Sequence, residues 1–217
     1  ISGIVVGCVY GMAALGFTIV YNATRIINFA NGDFMMLGGV LLAGMVVNAK
    51  LPMPLGIAAA VVGCSLVGWV LQRGVLDVAR NSDPLTLVML TLGAAVALRG
   101  GASLVFGREI NFVPEFGLLP VVLLGNIYIP SQGLWIIMVL ILVSTALWYV
   151  FSKTMLGKAM RAASQEPRAA ALCGIEPKRA AAMAMVLAGC IGGLAGAMLA
   201  PISAAFYENG IFLGLKG

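Results

Sequence analysis

Histidine is absent from this sequence, and charge is scarce, since only 10% of its 217 residues are Asp, Glu, Lys or Arg. An ordinary soluble domain carries about 25% charged residues. The four cysteines (Cys8, Cys64, Cys173 and Cys190) form no C-x-x-C pair, so neither a zinc site nor a redox pair is indicated. This composition argues against a soluble enzyme or a metalloprotein, and we expect no metal and no cofactor.

Motifs for nucleotide hydrolysis and for common hydrolases are also missing. The nearest approach to the phosphate-binding pattern G-x-x-x-x-G-K-[ST] is Gly157-Lys158, but Ser152 stands at the first glycine position and Ala159 at the last position. No H-E-x-x-H motif and no nucleophile elbow occur. We therefore expect no enzymatic activity and no ATP hydrolysis from this chain.

Long apolar runs dominate what is present, because 61% of the residues are hydrophobic. Most of the runs are long enough for a helix to cross a hydrocarbon layer of about 30 Å, and they lack the two-residue alternation of a barrel strand. The sequence thus predicts an all-α polytopic integral membrane protein with about six transmembrane helices. The predicted spans are Gly3–Tyr21, Phe34–Val47, Leu55–Leu71, Leu85–Phe106, Gly133–Phe151 and Ala180–Ala200.

Glycine is abundant, and many of the 28 glycines recur at four-residue spacing within the predicted spans. Small residues at this spacing allow two helix backbones to approach closely. We interpret them as helix-packing positions rather than as parts of a transport site. These positions are Gly3, Gly7, Gly11, Gly93, Gly101, Gly189, Gly192, Gly193 and Gly196.

A polar segment, NATRIINFANGDF at residues 22–34, separates the first two apolar runs. One interpretation is a broken or re-entrant segment at the mouth of a pathway, since polar backbone at membrane depth lines a cavity or is buried in protein. The other is a short interfacial turn. The candidate pathway residues are Arg25, Asn28, Asn31 and Asp33. The second apolar run is short, so its helix can begin inside this segment.

Two further observations bear on intramembrane charge. Arg99 lies within the fourth predicted span, where outward snorkelling or a structural ion pair is favoured over a transport role. All eight acidic residues fall in loops or near span ends. An ion-coupled carrier needs titratable groups within the membrane. An ion-coupled carrier or a passive channel is therefore the weaker alternative to a pathway that is powered from outside the chain.

The segment 153–179 holds six of the thirteen basic residues. Each would cost about 2.5–3.5 kcal/mol in lipid, so the segment lies in water. Counting spans alternately puts Arg25, Arg73 and Arg80 on the same side, whereas Lys50, Arg108 and Lys216 fall on the opposite side. The side that contains the segment 153–179 thus has nine basic residues, and the opposite side has three. Because loops rich in Lys and Arg stay in the cytoplasm, we expect the segment there.

Within this segment the pattern predicts a short helix, Gln165–Cys173, capped by Ser164 and ended by Gly174. A helix of this length is not stable alone and needs a neighbour. Ala169, Leu172 and Cys173 share one face. Two interpretations remain: the face docks on a soluble partner, or the segment lies on anionic lipid headgroups.

Three blocks resemble the permease subunits of branched-chain amino acid ABC importers, of the LivH type: residues 11–39, 91–107 and 157–175. The resemblance implies amino acid transport by a multi-pass protein of the bacterial inner membrane. It also implies that the chain associates with a homologous permease subunit, two cytoplasmic ATPases that hydrolyse ATP and a periplasmic binding protein, and that it lies in the bilayer. Relatives continue with further membrane helices, so residues 1–217 are expected to be one permease domain without its C-terminal spans.

In this family the segment 153–179 corresponds to the region that docks on the ATPase. The resemblance therefore implies coupling roles for Gly157, Lys158, Arg161, Ala162, Gly174 and Ile175, beside the exposed-face candidates Ala169 and Leu172. Glu176-Pro177 follows, where relatives often place Asn or Asp after Gly-Ile. Relatives carry branched-chain amino acids, other amino acids, amides or urea. The scarcity of membrane charge is consistent with a zwitterion that has an apolar side chain.

Overall fold

The structure, a computed structural model, describes residues 2–79, 83–107, 113–114, 122–124, 127–129 and 131–202. In these ranges the chain is almost entirely helical. The helices are α1 (Ser2–Thr24), α2 (Asn31–Ala43), α3 (Met53–Leu71), α4 (Pro84–Phe106), α5 (Ser131–Lys153), α6 (Met155–Gln165), α7 (Pro167–Leu172) and α8 (Pro177–Leu199). Two short strands, β1 (Val122–Leu124) and β2 (Ile127–Ile129), pair antiparallel.

Six helices in the described part of the chain are long and apolar enough to cross a membrane: α1, α2, α3, α4, α5 and α8. The predicted fold class is therefore confirmed. Two π-helical turns, Gly44–Asn48 and Gln72–Leu76, extend α2 and α3. The second membrane helix begins at Asn31, within the polar segment 22–34, as its short apolar run indicated.

Proline explains where several of these helices begin. Pro84, Pro167 and Pro177 each occupy the first position of a helix. Proline is tolerated there because the first backbone N–H groups of a helix have no partner within the helix, and its fixed φ already suits the helix. The starts predicted from hydrophobicity at Leu85 and Ala180 are therefore close to the observed starts at Pro84 and Pro177.

The centre of the bundle is α8, which packs against α1, α2 and α3. Its glycines face backbone atoms: a Cβ added at Gly189 would lie 2.5 Å from the Cys64 carbonyl oxygen of α3. A Cβ at Gly192 would lie 2.6 Å from Cβ of Phe34, and one at Gly196 would overlap the Met35 carbonyl oxygen. These contacts bring the α8 backbone against α2 and α3, as close helix packing through small residues requires.

The other predicted packing glycines have different surroundings. A Cβ added at Gly3, Gly7, Gly93 or Gly101 would meet no atom of the described residues within 4 Å. A Cβ at Gly11 would only touch the Leu140 side chain, at 3.9 Å. Within the described chain, therefore, the same four-residue spacing brings helices together at α8, whereas the glycine positions of α4 and of the start of α1 face no packed neighbour.

Candidate functional site

The helical backbone breaks directly after α1, at Arg25. This residue has φ +58, and its N–H donates to the Tyr21 carbonyl at 2.8 Å. That bond forms the left-handed helix end in which glycine is usual. A residue other than glycine in this conformation costs roughly 1–3 kcal/mol. Arginine occupies this position despite the conformational cost, so its side chain is a candidate for function.

The chain then returns beside α1 before α2 begins. Asn31 Nδ2 donates to the Ala13 carbonyl at 3.0 Å. Ala13 precedes the end of α1 at Thr24 by eleven residues, which is roughly 16 Å along a helix at about 1.5 Å per residue. The geometry therefore agrees with a broken segment at membrane depth better than with a turn confined to the membrane surface.

Buried polar contacts tie this break to two other helices. Asn28 is buried; its Oδ1 accepts from the Ala30 N–H at 3.0 Å, and its Nδ2 lies 3.5 Å from Sδ of Met185 in α8. The Phe29 N–H points at Oγ1 of Thr91 in α4, at 3.4 Å. Side chains thus replace the backbone hydrogen bonds that a continuous helix would have supplied.

An ion pair joins the first turn of α2 to the middle of α4. Arg99 Nε donates to Asp33 Oδ1 at 2.6 Å, and Arg99 Nη2 donates to Asp33 Oδ2 at 3.1 Å. Asp33 is fully buried, whereas the sequence grouped it with acids in loops or near span ends. Arg99 is accordingly held in a structural pair and does not depend on snorkelling. Nothing in the sequence indicates that Asp33 and Arg99, which are 66 residues apart, form an ion pair.

A cavity of about 560 Å³ opens where α1 and α3 end and α4 and α8 begin. We call this end of the bundle the basic end, because the helix termini and connections there carry eight described cationic residues: Arg25, Arg73, Lys153, Lys158, Arg161, Arg168, Lys178 and Arg179. The cavity walls include Arg25 of the break and Ser164 and Pro167 of the segment 153–179. The cavity therefore joins the two regions that the sequence singled out separately.

The segment 153–179 folds differently from its prediction. A first helix, α6, begins after Thr154, whose Oγ1 accepts from the Gly157 N–H at 3.3 Å. Ser164 is not an N-cap, since it lies within α6 and donates to the Arg161 carbonyl at 2.9 Å. The predicted start at Gln165 is also wrong. Glu166 is extended, as the residue before a proline prefers, and α7 begins at Pro167.

The end of α7 agrees with the prediction. Gly174 has φ +80, its N–H donates to the Ala171 carbonyl at 3.0 Å, and the Ile175 N–H donates to the Ala170 carbonyl at 3.0 Å. These two bonds form a Schellman motif, in which glycine avoids the strain of the left-handed conformation. The chain direction therefore changes at Gly174 before α8 begins.

The predicted coupling residues divide into an anchoring group and an exposed group. Gly157 packs against the last turn of α5, and Arg161 Nη2 donates to the Phe151 carbonyl there at 2.9 Å. Ala162 and Ile175 are partly buried against the core. Lys158 and Ala169 are exposed, and Leu172 is 92% exposed. The first group holds α6 and α7 on the bundle, so that the second faces outward.

Comparison with known proteins gives consistent matches. The family described as "Branched-chain amino acid transport system / permease component" matches residues 1–217. The high-affinity branched-chain amino acid transport system permease protein LivH of Escherichia coli K12 is 27% identical, over 91% of this chain and 68% of its own. The corresponding protein BraD of Pseudomonas aeruginosa is 26% identical, over 92% and 69%. No solved structure matches the chain.

Proposed function

This chain belongs to the permease family of branched-chain amino acid transport systems, and on that premise we propose that it forms the membrane pathway of an ATP-driven importer. The proposed substrates are branched-chain or related amino acids, since the names of LivH and BraD state branched-chain amino acids for those proteins. The proposed setting is the bacterial inner membrane. A second, homologous permease subunit, two cytoplasmic ATPases and a periplasmic binding protein complete the importer, and ATP hydrolysis resides on the ATPases.

One observation carries this proposal: Leu172 is 92% exposed on a short helix at the basic end of a membrane bundle. An isolated apolar side chain at a surface is unremarkable. Here, however, the helix that presents it has only six residues and is fastened by a Schellman motif and by the packing of Ala170. A rigid helix with an outward leucine suits a groove on a soluble partner.

The charge distribution supports the orientation. Eight described cationic residues lie at the basic end, whereas Lys50 lies in the connection between α2 and α3. Arg80, Arg108 and Lys216, which also enter the charge count, lie outside the described residues. Because loops rich in Lys and Arg remain in the cytoplasm, the basic end faces the compartment that contains ATP.

We also propose that the broken segment forms the cytoplasmic mouth of the pathway. Arg25 lines the cavity at the basic end, which supports a direct role for it. Asn28, Asn31 and Asp33 are buried in contacts with neighbouring helices. Their proposed part in the pathway is to hold the backbone break in place beside it.

Reconstitution tests the proposed function. We expect proteoliposomes that contain this permease, its partner permease and the ATPases to take up leucine only when both ATP and the binding protein are supplied. A non-hydrolysable ATP analogue should abolish uptake. Equal leucine flux through liposomes that lack the ATPases would contradict the proposal and would favour a carrier or a channel.

The docking surface gives a prediction of its own. If Leu172 is a hot spot of this surface, Leu172→Asp should weaken association with the ATPase by about 30-fold or more, because removing a hot-spot side chain costs about 2 kcal/mol or more. Fold stability should change by less than about 0.5 kcal/mol, since the side chain is exposed. Co-purification and thermal unfolding measure the two effects. Leu172→Met is the matched control, and unchanged ATPase association in Leu172→Asp would disprove this docking surface.

A further inference from the structure

We propose that an anionic phospholipid binds where α5 turns into α6, with its headgroup against basic side chains and one acyl chain along α5. We call this place the α5–α6 corner and define it as residues 148–161, at the basic end of the bundle. Of the six membrane helices in the described part of the chain, α5 is the least buried, so its outward face is open to lipid. The site depends on neither the substrate nor the ATPases of the proposed function.

A shallow apolar groove leads along α5 to this corner. The groove has a volume of about 690 Å³ and runs from Leu134 to Tyr149. Lys153 follows Tyr149 by four residues, so it continues the same face at the end of the helix. Leu142, midway along the groove, precedes Lys153 by eleven residues, which is about 16 Å of helix. This length is about half of a hydrocarbon layer of about 30 Å, so this part of the groove matches an acyl chain of one leaflet.

Three basic residues lie around the end of α5. Lys153, Lys158 and Arg161 are exposed, and none of them forms an ion pair with another described residue. The bond from Arg161 Nη2 to the Phe151 carbonyl, at 2.9 Å, holds this guanidinium beside the last turn of α5. Lysine and arginine next to a membrane surface attract anionic headgroups, and a guanidinium binds phosphate oxygens through several N–H groups. The charge of the α5–α6 corner is therefore complementary to an anionic phospholipid.

Exposed apolar side chains place this corner at the boundary between acyl chains and headgroups. Leu156 shares a face of α6 with Met160 and Ala163, at i, i+4 and i+7. Met160 and Ala163 are buried against the bundle, whereas Leu156 is 52% exposed. Trp148 is 62% exposed and precedes Lys153 by five residues, about 8 Å of helix. Tryptophan is enriched at the membrane interface, and interfacial helices bury their apolar faces about 5–10 Å deep.

The competing occupant of the groove is another protein surface, such as a second copy of this chain. The sequence contains no acidic residue between Glu115 and Glu166, so two copies of the α5–α6 corner would bring lysine against lysine. Lysine is also depleted from protein interfaces, and Lys153 lies directly at the end of the groove. Charge complementarity therefore favours an anionic lipid over a second copy.

Native mass spectrometry of the purified full-length permease tests the site, with phosphatidylglycerol and phosphatidylcholine of identical acyl chains as the probes. We expect the first phosphatidylglycerol to bind about 30-fold more tightly than the first phosphatidylcholine. The double variant Lys153→Gln with Lys158→Gln should remove most of this preference, because each basic residue beside an anionic headgroup contributes about fivefold to the affinity. Its binding of phosphatidylcholine should stay unchanged.

A matched double variant separates this site from a general attraction to the basic end. Arg168→Gln with Lys178→Gln also removes two exposed positive charges at this end, but from α7 and α8. It should keep the preference for phosphatidylglycerol. All four substituted side chains are exposed, so thermal unfolding of both double variants should match that of the wild type.

Three results would overturn the lipid site. The first is equal affinity of the wild type for the two lipids, and the second is an equal loss of preference in the two double variants. The third comes from the same measurement on the permease assembled with its partner permease: a preference that disappears there would show that protein covers the α5–α6 corner. A preference that persists in the assembly and depends on Lys153 and Lys158 supports the site, whether or not the complex takes up leucine.

Discussion

Gly196→Ala should strongly lower the melting temperature of the protein, although it adds only one methyl group. The new Cβ would overlap the Met35 carbonyl oxygen of α2 and would lie 2.9 Å from the Gly39 backbone nitrogen. Both neighbours are backbone atoms, so no side-chain rotation relieves the overlap and α8 must move away from α2. Overpacking a core by a methyl group costs about 1–3 kcal/mol and occasionally more. We expect the upper end of this range, because the backbones themselves are in contact.

The matched control for this change is Gly93→Ala, which introduces the same methyl group in a motif of the same spacing. No described atom lies within 4 Å of the added Cβ. Alanine is favoured over glycine in a helix by up to about 1 kcal/mol, so Gly93→Ala should be neutral or slightly stabilising. Heat treatment followed by size-exclusion chromatography measures the difference. Equal melting temperatures for the two variants would show that α8 does not pack as described.

Arg99→Met should destabilise the bundle by about 3–5 kcal/mol, since it leaves the buried Asp33 carboxylate without a partner. The double variant Asp33→Asn with Arg99→Met removes both charges and should recover a large part of that loss. The predicted coupling between the two sites appears in a double-mutant cycle of thermal or denaturant unfolding. Arg73→Met is the control: Arg73 is exposed, 5.2 Å from the Trp69 ring, and its loss should cost about 0.5–1 kcal/mol.

The same double variant also tests the proposed role of Asp33 beside the pathway. If the charges of Asp33 and Arg99 serve only to join α2 and α4, the stabilised double variant should retain ATP-dependent uptake. If transport requires the charge of Asp33, uptake should stay low after stability has returned. The proposal that the pair is chiefly structural would be abandoned if Arg99→Met unfolded at the wild-type temperature.

Much of the secondary structure was predictable because its determinants are local. The fourth span was predicted at Leu85–Phe106 and is observed as Pro84–Phe106, since proline starts the helix and the apolar run sets its length. Gly174 ends α7 because a left-handed residue there needs no side chain. The error at Ser164 has a local cause too: the sequence around Ser164 resembles a cap, but the neighbouring Pro167 determines where the new helix begins.

The candidate site was only partly predictable. The segments 22–34 and 153–179 stood out in the sequence because each places polar or charged residues between apolar runs. Gln72 gave no such signal, because its burial, its bond to Asp77 and its place in the cavity wall are properties of the folded chain. These properties arise only when α1, α3, α4 and α8 converge around one cavity.

By itself, the sequence determined the membrane class, the six spans, the basic segment and the family resemblance, because hydrophobic length, charge and motif order are properties of contiguous residues. Only the tertiary structure decided which glycines are in contact with a neighbouring backbone, that Arg99 pairs with Asp33, and that Arg25 and Gln72 line one cavity. Every glycine at four-residue spacing looks the same along the chain. The helix that packs against it, brought from a distant part of the sequence, decides whether a methyl group would fit.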